Sequence, residues 1–175
     1  MSPMSRLDLL RATADAAFGR VRKRLDGLTD EEFAWEPVRG CWTIRRDDSG
    51  RWRYDYAIPE PSPAPVTTIG WQVVHLATTK VMYQEWAFGP ARLTFPDLDV
   101  PHTAAGAIAM LELGQGLLAT DLQDLDEAGL DEPRKTNWGA LWPAWRIFQV
   151  MADHDALHGG AIGLLRDLYV WSRAP

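Results

Sequence analysis

The chain predicts an all-α fold, a four-helix bundle with an extended or hairpin insert between its first and second helices. Three observations lead there. Four long segments repeat apolar residues at spacings of three and four, the mark of one buried helix face. Threonine, glycine and proline stand at the ends of those segments, where helices start and stop. Between the first two segments, residues 37–66 lose the periodicity and become proline-rich. At 175 residues a single domain spanning 1–175 is expected, long enough to bury roughly 70% of its extended surface.

The first helix is expected from about Ser5 to Leu28. Leu7, Leu10, Ala14, Phe18, Val21, Leu25 and Leu28 form its stripe, Ser5 is a suitable N-cap, and Gly27 stops it before a short turn at Asp30–Glu32. In the insert, the DDSGR stretch reads as a turn between two short extended segments. Pro59, Pro61, Pro63 and Pro65 then hold the path extended. A second helix runs from about Ile69 to Phe88, capped by Thr67 or Thr68. Its inward stripe is Gln72, His75, Leu76, Thr79, Met82, Tyr83 and Trp86, and Gly89-Pro90 ends it. A third runs from about Thr103 to Leu125 with Ile108, Leu111, Gln115, Leu118, Leu122 and Leu125 inward; Gly114 and Gly116 weaken it locally and leave space beside them. The last begins near Pro143, suited to a first helical position, and continues to about Trp171. Its stripe is Ile147, Met151, His154, His158, Ile162, Leu165 and Leu168.

Composition narrows the function. The net charge is −6 and no basic stripe appears, so nucleic acid is not an expected partner. No apolar run is long enough to span a membrane, and the N-terminus lacks the apolar core of a signal peptide. The single Cys41 excludes an internal disulfide, fits a reducing compartment and reads as structural. A cytoplasmic protein is expected. Only three of 18 basic residues are Lys, a bias that hints at a GC-rich bacterial genome.

Histidine is scarce, and three of the four fall on core stripes. His154 and His158 are four residues apart, which puts both rings on one helix face with Cβ atoms roughly 6 Å apart. His75 lies on the stripe of the second helix. A buried imidazole is costly unless its nitrogens find partners. Three converging rings find one in a shared divalent metal; the alternative is that each is hydrogen-bonded separately. Three protein ligands leave a coordination position open, the pattern of a reactive site. Three neutral imidazoles suit Zn, Ni, Fe or Cu by ligand type without discriminating among them, and Zn, Ni or Fe is expected. His154-Asp155-Ala156-Leu157-His158 resembles the HExxH motif of zinc peptidases, but Asp replaces the general-base Glu and holds its carboxylate farther back. Asp153 and Asp155 are expected to be solvated, and His102 exposed in a loop.

Candidate substrate-binding residues follow from position. Trp71 and Gln72 lie one turn before His75, Thr79 one turn after it, and Gln115 is the odd polar residue on the third stripe. The insert interleaves Trp42, Trp52, Tyr54 and Tyr56 with Arg45, Arg46, Arg51 and Arg53. It reads either as an aromatic and cationic lid or as a solvated hairpin balanced by Asp47, Asp48 and Asp55.

Three segments together carry a family resemblance: TDEEFAWEP at 29–37, the Thr68-Ile69-Gly70-Trp71 entry before His75, and the final block of His154, His158, Gly160 and Ile162. With these the chain resembles the DinB-like superfamily over nearly its full length. The resemblance implies a four-helix bundle with a metal near one end, held at the positions matching His75, His154 and His158. Members include bacillithiol and mycothiol S-transferases, mycothiol-dependent maleylpyruvate isomerases and the metal-binding domain of ergothioneine-forming sulfoxide synthases. The implied activity is a metal-dependent S-transferase that joins a low-molecular-weight thiol, of mycothiol type given the GC-rich bias, to a small-molecule electrophile. The alternative is a non-catalytic metal- or ligand-binding dimerisation module of the stress response, paired as a homodimer through an exposed helix face. The chain departs from the family at Ala161, where Gln or Glu is frequent.

Overall fold

The computed structural model describes residues 4–174. They are mostly helical, with five α-helices and two small two-stranded sheets. Helix α1 spans Arg6–Leu25. Ser5 opens it with a capping box: its hydroxyl accepts from the Asp8 amide and the Asp8 carboxylate accepts from the Ser5 amide. It ends before the expected Leu28, because Asp26 is extended and Gly27 takes a φ of +67°. Short α2, Asp30–Phe33, is capped by Thr29.

The insert holds an antiparallel hairpin, β1 Ile44–Arg46 with β2 Trp52–Tyr54, in a register that pairs Arg45 with Arg53. Asp47 shapes the turn by accepting from the Ser49 and Arg51 amides. Arg45 pairs with Asp55 and Arg53 with Asp47, which neutralises much of the strand charge. The Trp42 amide donates to Val66 and the Thr68 amide to Trp42, tying the insert back to the start of the next helix.

Helix α3, Ile69–Ala87, is capped by Thr68, whose hydroxyl accepts from the Trp71 amide. It is buried on nearly every side, not along one stripe, because α4 and α5 pack on it and the hairpin covers its beginning. Helix α4, Ala104–Asp124, is capped by Thr103. A second hairpin that sequence reading did not find, β3 Pro133–Lys135 with β4 Leu141–Pro143, leads into α5, Ala144–Ser172. Pro143 thus stands one residue before α5 as the end of a strand, not inside its first turn. Leu168, expected inward, is 44% exposed.

Helix α1 packs on α5, α5 on α3, α3 on α4, and α4 meets α1. One apolar cluster gathers Val21, Leu25, Phe33, Val73, Leu76, Leu111 and Ile162; another gathers Leu7, Leu118, Leu122, Ile147, Phe148 and Met151. Arg166 of α5 holds the buried Glu32 with both arms of its guanidinium and donates to the carbonyls of Arg24 and Asp26. Those carbonyls are the unpaired acceptors at the end of α1, so a single side chain closes that helix and fastens it to α5.

Candidate metal centre

His75 on α3 meets His154 and His158 on α5. One ring nitrogen from each lies within 4.8 Å of the other two. Ring centroids are 4.7 Å apart for His75–His158, 5.5 Å for His154–His158 and 6.0 Å for His75–His154.

Each ring is held by a different device. His154 Nδ1 lies 3.1 Å from the Val150 carbonyl, an acceptor only, so Nδ1 carries the proton and Nε2 keeps its lone pair. His158 Nδ1 lies 2.5 Å from Gln72 Oε1. The Gln72 amide is oriented in turn, because its Nε2 donates to Thr67 Oγ1 over 2.7 Å. His158 therefore also protonates at Nδ1 and presents Nε2. His75 is stacked on Trp71, with centroids 4.8 Å apart and planes 10° from parallel, and Trp71 is anchored by its Nε1–H to the Asp55 carbonyl. His75 Nδ1 is buried and has no hydrogen-bond partner among the described residues.

Two of the rings, His75 and His158, are kept neutral. Burial pushes the pKa of His75 down to about 3, assisted by His158 and His154, and that of His158 down to about 4, assisted by His154. Neutral imidazoles with oriented lone pairs are the ligand form of histidine. The donor set, the anchored Nδ1–H groups and the orphaned His75 nitrogen all fit a bound divalent ion.

A cavity of about 730 Å³ opens beside His75 and His154, of the size that takes a small molecule. Thr79 and Tyr83 from α3, Tyr54 and Tyr56 from the first hairpin and Trp138 from the turn of the second line it. Sequence reading named Thr79, Tyr54 and Tyr56 and missed Trp138. The Asn137-Trp138-Gly139 turn, where Gly139 has a φ of +88°, was the available signal.

The remaining candidates are placed differently. Trp71 is buried and backs His75, and Gln72 orients His158. Gln115 is remote from the cavity: its Oε1 accepts from Lys80 Nζ over 2.8 Å, and it lines a separate, smaller cavity of about 90 Å³. Asp153 is exposed as expected, but Asp155 is not solvated. It is 2% exposed and pairs with the equally buried Lys80 over 2.8 Å. Helix α5 has neighbours on two sides, so the face 100° from His154 also points inward. Cys41 is buried, and burial pushes its thiol pKa up. His102 is exposed and stacked on Trp52.

No curated protein matches this sequence. The structure is similar to the crystal structure of the conserved protein of locus from Enterococcus faecalis, with a TM-score of 0.59 and 16% identity, covering 97% of this chain and 99% of that chain. At that identity the likeness speaks for the fold alone. The model of the DinB superfamily matches residues 13–162, most of the chain and all three histidines, and the protein belongs to that superfamily.

Proposed function

We propose that this protein is a four-helix bundle binding a divalent metal, Zn, Ni or Fe, and that it acts as an S-transferase for a low-molecular-weight thiol of mycothiol type. The observation that carries the reading is the convergence of His75, His154 and His158, two with Nδ1 already committed, at the wall of an open cavity. A metal held there would supply a positive charge that favours the thiolate form of an entering thiol. Gln72 and the Val150 carbonyl orient the rings, and Trp71 closes the site behind His75. Tyr54, Tyr83 and Trp138 wall the cavity where the electrophile would lie. No carboxylate lines the cavity among the described residues, so the thiol proton leaves through the open mouth to solvent and not to a side-chain base. No helix among the described residues is long and apolar enough to cross a membrane. Cys41 is a free cysteine, which suits a reducing compartment, and we propose the cytoplasm as the place of this chemistry.

Elemental analysis of untagged protein beside His154→Ala tests the reading. Near-stoichiometric metal that vanishes in the variant is expected, followed by a rate above background when the loaded protein meets thiol and a model electrophile. No metal after reconstitution would end the proposal. A second reading, a non-catalytic module working as a homodimer, draws on one observation. Leu157, Leu164, Leu168 and Trp171 are exposed on α5 at spacings of seven, four and three. Metal without turnover for several thiols, with a dimer that Leu164→Asp dissociates, would favour it.

A further inference from the structure

The cavity beside the histidines has walls that select a ligand. Large apolar side chains exposed to solvent mark a binding surface when they cluster. Here Tyr56 is 60% exposed, Ile58 85%, Phe95 39% and Trp138 52%, and all four line this one cavity. They come from three separate connections: the first hairpin and the segment after it, the 3-10 turn at Phe95–Asp97, and the turn of the second hairpin. The rings form two pairs. Tyr83 and Trp138 meet edge to face with centroids 5.6 Å apart, and Tyr54 and Tyr56 meet likewise at 6.2 Å. Such ring faces and edges receive a flat apolar ring in offset or T-shaped contact.

These walls carry little charge. No Asp, Glu or Lys lines the cavity among the described residues, and the single cation, Arg53, is already engaged. Its Nε donates to Asp47 over 3.1 Å and its Nη1 to the Pro96 carbonyl over 2.9 Å. The Thr79 and Tyr83 hydroxyls and the Asn137 amide supply neutral hydrogen-bonding groups. Away from the histidines, an anionic ligand would surrender its hydration to aromatic walls and gain only Arg53, two of whose donor groups are already engaged.

We infer that this cavity binds an uncharged, ring-containing apolar molecule, gripped by the aromatic side chains of the two hairpins, and that this molecule is the electrophile of the transfer. The inference rests on the metal-site reading for the electrophile's role, but not for its binding. The thiol partner enters by the histidines, while the second hairpin, the insert and Tyr83 of α3 set the choice of electrophile.

Calorimetric titration tests it with two probes of one shape, neutral 1-naphthol and anionic 1-naphthoate. The protein is first freed of metal with a chelator, so that no ion can ligate the carboxylate. Naphthol is expected to bind at least about tenfold more tightly than naphthoate. Trp138→Ala and Tyr56→Ala, both at positions more than half exposed, are expected to weaken naphthol about tenfold. Trp171→Ala, on the far end of α5, is expected to leave binding unchanged. Equal or tighter binding of naphthoate, or no binding of either probe to the unaltered protein, would overturn the inference. So would naphthol binding that Trp138→Ala and Tyr56→Ala leave untouched while both variants melt like the parent. The metal reading is judged separately. Naphthol binding by a protein that takes up no metal would uphold the ligand class and overturn the electrophile role. A metal-loaded protein blind to naphthol would do the reverse.

Discussion

Three imidazoles reach one point because each has its own anchor. At His158, Gln72 holds Nδ1 from another helix and is itself held by Thr67. Removing such an orienting partner costs a metal site roughly 10–100-fold in affinity. Gln72→Leu is therefore expected to weaken the metal by that order in a chelator competition, while Gln115→Leu, remote from the rings, leaves it unchanged. The buried rings also set a pH dependence. In the unfolded chain a histidine protonates near pH 6.5; in the fold His75 resists to about pH 3 and His158 to about pH 4. Below pH 6.5 the unfolded chain binds protons that the fold does not, so stability present above that pH is lost as the pH falls. Each ring contributes a slope of at most about 1.4 kcal/mol per pH unit. The metal-free protein is expected to melt several degrees lower at pH 5 than at pH 7, and His75→Phe is expected to flatten that fall. A melting temperature independent of pH over this window would refute the account.

At the scale of elements, α5 shows how neighbouring residues in one helix meet different fates. A Cβ at Gly159 would come within 2.9 Å of Val21 Cγ2, on a side chain that is fully buried in α1. At Gly160 a Cβ would meet nothing within 4 Å. Gly160→Ala is expected to stabilise the protein by about 0.5–1 kcal/mol through helix propensity alone. Gly159→Ala gains the same propensity but must push α1 away, and is expected to destabilise by about 1–3 kcal/mol. Denaturant unfolding of the two variants, which differ by one position, checks both signs. The two helix-linking hairpins are the other decisive elements. The first was readable from its DDSGR turn. The second was hidden because each strand has three residues and two of those strand positions are proline, residues that argue against a strand except at an edge.

Across the whole molecule, Lys80 of α3, Gln115 of α4 and Asp155 of α5 join three helices midway along their lengths. Burial pushes the Lys80 pKa down and the Asp155 pKa up, while each partner's charge opposes the shift. Such a pair is costly to break and cheap to replace. Lys80→Met leaves Asp155 buried and uncompensated, and is expected to cost about 3–5 kcal/mol. The double variant Lys80→Met with Asp155→Leu is expected to recover most of that loss. Chemical denaturation decides, and a double variant no more stable than the single one would show that the layer contributes more than a paired charge.

Much of this was legible before any coordinates. The cap at Ser5, the choice of Thr67 or Thr68 as cap of the second helix, the helical periodicities and the spacing of His154 and His158 are local properties, set by hydrogen bonds and side-chain directions within a few residues. His75 was readable as a third ring because it is a polar residue on an apolar stripe. Tertiary packing decided what depends on a second element. It turned Trp71 and Gln72 from cavity walls into supports for His75 and His158, drew Gln115 and Asp155 to Lys80, and brought Trp138 to the cavity from a turn more than sixty residues along the chain from His75. A stripe tells that a residue points inward; only the neighbouring helix determines what it meets there.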